Sequence, residues 1–222
     1  MKILKNFKRK IKSISGNSLA EFAVTTAMMA TLATTAAPRF SGIGEGAKAT
    51  KTLSEIDKIV IASSNFFNSK VTSEGRGRFP GQERYDVQVG GYASEIQLLD
   101  AIGIDAAAET AFDGYNDAEG AKWKSIFGVS DAISGKSAGS LVTDDDGSTL
   151  GHTEFLAEFA GNSIKSPYQD GHYIYIVLPG GLTYVDPDGD GTYVARTCND
   201  CSPILYVADN EDPSQLFKKY QP

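Results

Sequence analysis

The chain has 222 residues, with 21 Lys and Arg against 28 Asp and Glu, and it contains two Cys and two His. About 150 residues remain for one globular domain after the N-terminal segments described below are set aside. The acidic balance argues against nucleic acid as a partner, and two histidines are too few for a His-rich metal site.

Residues 1–16 form a basic leader, and residues 17–38 form the apolar segment that follows it. From Phe22 to Pro38 the chain carries no charge. At ~1.5 Å per residue, ~22 helical residues can cross a ~30 Å hydrocarbon core, so the pattern predicts a transmembrane helix with a cytoplasmic basic flank. The alternative is a poor helix, because its many Thr residues lower helix propensity. The leader cations are Lys2, Lys5, Lys8, Arg9, Lys10 and Lys12.

A small residue suited to processing, Gly16, lies before the apolar segment, whereas a secretory signal has its cleavage site after it. Asn17 follows, Glu21 lies five residues after the glycine, and Pro38 lies near the end of the segment. This N-terminus resembles that of type IV pilins and type II secretion pseudopilins. Asn17 and the Ala- and Thr-rich segment differ from the Phe and the Leu- and Ile-rich helix that the family prefers.

The resemblance implies a life cycle for the chain. A prepilin peptidase cleaves after Gly16 and methylates the new amino terminus at Asn17, and Glu21 and Pro38 become mature residues 5 and 22. The precursor lies in the inner membrane, where an assembly machinery builds a homo-oligomeric helical filament, extracellular or, for a pseudopilus, periplasmic. Without the leader, 15 Lys and Arg remain against 28 Asp and Glu, a net charge of -13.

The stalk helix is expected to continue to residue 70, with local unwinding where three glycines follow Pro38 in Ser41–Gly46. Beyond the glycines, apolar residues recur at near-heptad spacing and predict an amphipathic helix packed on the head. That stripe consists of Leu53, Ile56, Val60 and Phe67.

The head is expected to span residues 71–222, with a helix and loop insertion at 71–170. Ser94 and Gln97 form a capping box for a short helix that stops at Gly103. A second helix is expected from Ala106 to Phe127, with interruptions near Gly114 and Gly120. A third is expected to include Phe155, Leu156 and Phe159 before Gly161.

Strand patterns concentrate in residues 171–222 and predict an antiparallel meander. The expected strands are 172–178, 182–185, 192–197 and 204–208. The predicted fold is therefore α+β: a long N-terminal helix packed on a C-terminal antiparallel sheet, with the insertion between them. The pilin resemblance implies the same order of elements.

Cys198 and Cys201 are the only cysteines. A single pair in a chain predicted to cross a membrane indicates a disulfide in an oxidising compartment. The spacing also occurs in redox motifs and zinc sites, but no helix begins at this pair to stabilise a thiolate. We therefore expect a structural, loop-closing disulfide.

Asp186, Asp188 and Asp190 alternate with Pro and Gly, as in the first half of a calcium-binding loop. Thr197 stands where an EF-hand has its last glutamate. Asp, Pro and Gly also form plain turns, so a Ca²⁺ site and a polar hairpin loop both remain open.

No sequence pattern indicates an enzyme. Ser134–Ser137 has the end of a phosphate-binding loop without its first glycine, and neither His152 nor His172 accompanies a nucleophile elbow. The favoured interpretation is a structural pilin subunit. Its alternatives are a pseudopilin or minor pilin of a secretion or initiation complex, or a membrane-anchored periplasmic binding domain. The sequence does not distinguish a filament for adhesion from one for motility, DNA uptake, conduction or secretion.

Overall fold

The computed structural model describes residues 2–102, 120–128, 150–169, 171–185 and 194–222. The chain divides into two compact units, Met1–Ala47 and Lys48–Pro222. The helices are α1 (Lys2–Glu74), α2 (Glu95–Ile102) and α3 (Leu150–Glu158). The strands are β1 (Lys124–Ser125), β2 (Tyr173–Leu178), β3 (Leu182–Val185), β4 (Val194–Thr197), β5 (Ile204–Asp209) and β6 (Phe217–Tyr220).

The first unit is helical from Lys2 to its end. The unwinding expected after Pro38 is wrong, because Ser41–Gly46 lie within α1. A proline removes one intrahelical hydrogen bond and each glycine costs about 1 kcal/mol relative to Ala. Extending an existing helix avoids the larger cost of nucleating a new one, so helix on both sides favours a continuous path.

Among the described residues, no helix is both long enough and apolar enough to cross a membrane.

The second unit contains a four-stranded antiparallel sheet in the order β1-β2-β5-β6. Tyr173 pairs with Asp209 and Leu178 with Ile204, so β2 and β5 run side by side over their full lengths. Every residue of β2 is buried. Successive side chains of a strand point to opposite faces, so a fully buried strand requires cover on both faces of its sheet.

One face of the sheet packs against α1. Ile56 and Ile59 of the helix are fully buried in a core with Tyr175 and Val207 of the sheet, and Phe155 of α3 joins them. Leu53, Val60 and Phe67 of the predicted stripe also contact this core, while Ile59, outside the stripe, is more deeply buried than Phe67.

The other face of the sheet packs against α2 and the chain around Trp123. Leu98 and Trp123 are fully buried, and they share a core with Ile174, Ile176 and Tyr206. Residues that the sequence assigned to an insertion thus cover a second hydrophobic face of the sheet. The α+β prediction, a long helix on a C-terminal antiparallel sheet, is confirmed.

The strand order differs from the expected meander. β3 and β4 form a separate two-stranded ribbon, with Leu182 paired to Thr197. β2 therefore pairs directly with β5, because both are apolar on two faces, whereas all four residues of β4 are exposed. β6, which was not predicted, completes the main sheet beside β5.

The insertion helices are confirmed in part. Ser94 caps α2, since its Oγ accepts the Gln97 N–H at 3.3 Å while Gln97 Oε1 accepts the Ala93 N–H. α3 ends before Gly161, whose φ of 80° suits glycine at a helix C-terminus. Of the helix expected within 106–127, Gly120 is helical but residues 121–127 are not, and β1 lies there against β2; residues 106–119 and Gly103 lie outside the described residues.

Candidate functional site

Gly16, Asn17, Glu21 and Pro38, the predicted processing and assembly residues, all lie along α1. Their side chains lie outside the described residues. Nearby, Phe22 and Val24 expose 68% and 53% of their surface. Thr26 Oγ1 donates to the Phe22 carbonyl at 2.8 Å, so a hydroxyl of this apolar stretch is satisfied within the helix itself.

Asp186, Asp188 and Asp190, the predicted calcium ligands, lie outside the described residues. Val185 and Val194 pair across the ribbon, so the two ends of the acidic segment are neighbours. Elsewhere, in the part of the chain that the structure describes, no group of three or more His, Cys, Asp and Glu side chains could hold a metal ion.

The predicted disulfide between Cys198 and Cys201 is confirmed. It lies between β4 and β5. The Cys198 N–H donates to the Gly181 carbonyl and the Gly181 N–H donates to the Cys201 carbonyl, both at 2.9 Å. The disulfide loop is thereby fastened to the turn between β2 and β3, in keeping with a structural role.

Two arginines join the end of α1 to the head. The Arg76 guanidinium lies 4.3 Å from the Tyr85 ring centre and donates to the Asn199 carbonyl of the disulfide loop. Arg78 is buried and pairs with Glu154 of α3 at 2.9 Å. Arg78 also pairs with Glu74 at 3.0 Å, so two carboxylates offset its buried charge.

A cavity of about 240 Å³, here called the polar cavity, lies beside the start of β2. Its walls come from β1, from the loop between α3 and β2, and from β2 itself. Its lining residues include Ser125, Phe127, Lys165, Tyr168, His172 and Tyr173.

Two of these lining residues carry buried hydroxyls. Ser125 and Tyr173 are each 1% exposed; Ser125 Oγ makes no hydrogen bond among the described residues, whereas the Tyr173 hydroxyl lies beside that of Thr52 on α1. Burial raises the pKa of Tyr173 far above that of a free phenol, and the charges of Asp209 and Glu55 act in the same direction. A hydrogen bond with Thr52 lowers this pKa and offsets part of the increase. Tyr173 is therefore neutral at physiological pH.

Asp209, which is fully buried, supports one side of the polar cavity. Ser166 Oγ donates to its Oδ2 at 2.7 Å, and the Glu211 N–H donates to its Oδ1 at 3.0 Å. Burial raises the pKa of this carboxyl, and these two donors together with His172 partly offset the increase. A Cβ on Gly171 would clash with Ser166 Oγ and lie 2.7 Å from Asp209 Oδ1. The close contact of residue 171 with these two side chains therefore requires glycine.

A second cavity, of about 410 Å³, lies between α2 and the β3-β4 ribbon. Glu95 lies at its edge and accepts hydrogen bonds from Tyr206 Oη and from Lys219 Nζ, the latter at 2.5 Å. Burial and the bond to Glu95 raise the pKa of Tyr206 strongly. The carboxylate is already neutralised by Lys219, so this cavity presents mainly apolar walls.

Comparison with protein-family models, curated proteins and solved structures finds no match to this chain.

Sequence reasoning missed the polar cavity. Ser125, Ser166, Tyr173 and Asp209 are far apart in the chain and are brought together by strand pairing and by the loop before β2. The alternation in residues 172–178 was the one available signal, because it predicts that Tyr173 faces a core.

Proposed function

We propose that this chain is a structural subunit of a type IV pilus-like extracellular filament, cleaved after Gly16 and assembled through its N-terminal helix. The observation that carries the proposal is the register of Gly16 and Glu21 in front of an uncharged run. A helix that only anchors a protein in a membrane has no need of a carboxylate at Glu21.

The fold supports this proposal at the level of architecture. The residues after Lys48 in α1 pack on an antiparallel sheet, which is the arrangement that the pilin resemblance implies. The disulfide suits a head in an oxidising compartment. Phe22 and Val24, both exposed, leave apolar surface for a lipid or a neighbouring subunit.

Glu21 gives the proposal its mechanism. A carboxylate at the centre of a membrane helix costs roughly 2.5 to 3.5 kcal/mol on the insertion scale, so it gains from an ionic partner. Cleavage after Gly16 creates a positive amino terminus at Asn17. Pairing between Glu21 of one subunit and that terminus of the next neutralises both charges and selects the axial register.

Glu21→Ala is the test. We expect a cleaved, membrane-inserted monomer whose filament yield falls more than about tenfold, since a lost interaction of 1.4 kcal/mol is already a factor of ten. Glu45→Ala is the matched control, because Glu45 is an exposed carboxylate on the same helix and should leave the yield unchanged. A normal filament yield from Glu21→Ala would indicate a plain membrane anchor.

A further inference from the structure

We propose that the Cys198–Cys201 disulfide is a redox device that controls the β3-β4 ribbon, so that the ribbon is ordered only while the two cysteines are oxidised. The proposal concerns the head alone and does not depend on filament assembly. It goes beyond closing a loop, because it gives the disulfide control over two strands that lie outside that loop.

The ribbon has little support of its own. It forms a sheet separate from the β1-β2-β5-β6 sheet, and all four residues of β4 are exposed. Val194 of β4 and Leu182 of β3 expose 49% and 40% of their surface. A two-stranded hairpin is at best marginally stable in water unless other elements pack on it. The ribbon therefore depends on contacts from outside its two strands.

The disulfide loop, Cys198–Cys201, supplies such contacts at the base of the ribbon. Cys198 directly follows β4, and Gly181 directly precedes β3. The two hydrogen bonds at 2.9 Å that join Gly181 to Cys198 and Cys201 therefore close the ribbon at this end. On the other side of the loop, the Asn199 carbonyl accepts the Arg76 guanidinium at 3.1 Å. The loop thus connects the ribbon to the residues that follow α1.

The cross-link keeps the loop in the shape that makes these hydrogen bonds. Asn199 and Asp200, between the two cysteines, are exposed, and the Cys201 N–H reaches the Cys198 carbonyl only at 3.3 Å. Without the covalent bond, the open loop gains conformational freedom. The chain-entropy model gives a change of about ten- to thirtyfold in the opening equilibrium for a loop this short.

Tyr184 makes a second contact between the ribbon and the rest of the head. Its Oη donates to the Ala93 carbonyl, beside α2, at 3.0 Å. One neutral hydrogen bond changes an equilibrium by about two- to tenfold, which is less than the cross-link. Leu182 and Tyr184 also line the cavity of about 410 Å³ between α2 and the ribbon. Reduction is therefore expected to release the ribbon and to remove one wall of that cavity.

Thiol–disulfide exchange operates the device in both directions. A thiolate of a dithiol reductant attacks one sulfur to form a mixed disulfide, and its second thiol then releases both cysteines as thiols while the reductant becomes a cyclic disulfide. In the reverse direction, the two cysteine thiols lose two protons and two electrons, and an external disulfide is reduced to two thiols. Cys198 and Cys201 are half-buried, which leaves them accessible to a small reagent.

Amide hydrogen exchange of the purified full chain, measured by mass spectrometry with and without dithiothreitol, tests the proposal. Cys198 and Cys201 are the only cysteines, so the reagent has no other disulfide to reduce. On reduction, the amides of Leu182–Val185 and Val194–Thr197 should exchange about tenfold faster or more, as expected for the lost cross-link. The amides of Tyr173–Leu178, in the main sheet, should exchange as before.

Cys198→Ser with Cys201→Ser is the matched variant, and it should exchange like the reduced chain whether or not dithiothreitol is present. Tyr184→Phe tests the second contact, and its oxidised form should keep most of the protection of the ribbon. The proposal is overturned if reduction leaves exchange in the ribbon unchanged or if the ribbon and β2 lose protection together. It is also overturned if Tyr184→Phe releases the oxidised ribbon as fully as reduction does.

Discussion

The two parts of α1 differ in where their apolar side chains lie. Before Ala47, Phe22 and Ile43 each expose 68% of their surface, whereas after Lys48, Ile56 and Ile59 are fully buried and only the outward-facing Ile61 and Val71 are exposed among the large apolar residues. One face of the second part thus finds its apolar environment within its own chain. We infer that the first part must find one elsewhere, in lipid before assembly and in neighbouring subunits afterwards.

The same contrast applies to carboxylates. Asp209 is buried and has its donors, Ser166 and the Glu211 N–H, within the head. Glu21 lies in an apolar stretch of sequence, and on our proposal its partner is the amino terminus of another copy. The buried carboxylate of the head is thus satisfied within its own chain, whereas on our proposal the N-terminal carboxylate depends on another molecule.

The largest stability effect is expected from truncating the packed part of the helix. Ile59→Ala should destabilise the head by about 2 to 5 kcal/mol, the usual range for a fully buried Ile. Val24→Ala should change the unfolding free energy by less than about 0.5 kcal/mol, because Val24 is 53% exposed. Denaturant unfolding followed by fluorescence of Trp123, the single, fully buried tryptophan, measures both.

Val24→Ala is the control for stability, and it also tests the role of the first part of α1 in filament assembly. On our account it leaves the monomer intact yet reduces filament yield, whereas Ile59→Ala lowers the unfolding free energy first. Equal loss of stability in the two variants would remove the contrast between the two parts of α1.

The response to calcium tests whether the head needs a bound ion for its full stability. If Asp186, Asp188 and Asp190 bind Ca²⁺, an ion concentration of one hundred times the dissociation constant should stabilise the head by roughly 2.7 kcal/mol and raise its melting temperature by several degrees. Extracellular calcium sites are weak, with dissociation constants of about 0.1 to 1 mM, so the effect should saturate only at millimolar calcium.

The matched variant is Asp188→Asn with Asp190→Asn, which should abolish the response to calcium. Thermal melts in EDTA and in excess calcium provide the measurement. Identical melting temperatures for the unaltered chain would identify the segment as a plain turn.

A smaller effect is expected from Asp209. Its pKa is raised by burial, so the folded state binds this proton more tightly than the unfolded state. The resulting stabilisation is fully present below the unfolded pKa and is lost as the pH rises through the folded pKa. Asp209→Asn should remove that part of the pH dependence, because Asn keeps a carbonyl oxygen for the Glu211 N–H.

The measurement is the difference in unfolding free energy between the unaltered chain and Asp209→Asn across acidic to neutral pH. We expect the unaltered chain to gain stability relative to the variant as the pH falls. A relative loss on acidification would show that the donors to Asp209 outweigh its burial.

The sequence predicted the strands that are apolar on both faces, the capped helix and the disulfide. β2 and β5 are continuous apolar runs, α2 has a capping box, and the cysteine pair has loop-closing spacing. The pairing of β2 with β5 was not predictable, because the intervening ribbon has a strand pattern of its own and differs only in being less buried.

Two other elements carried little local signal. β6 contains Lys218 and Lys219, which form long-range ion pairs with Asp57 and Glu95, and the strand pairs with β5. The continuity of α1 through its glycines depends on the helix on either side and not on local propensity.

The central claim is that this chain is a processed filament subunit, and the intact mass of the protein in sheared surface filaments tests it most directly. We predict a chain that begins at Asn17 and carries one methyl group at its amino terminus. A surface protein that still begins at Met1, with the six leader cations in place, would contradict the account.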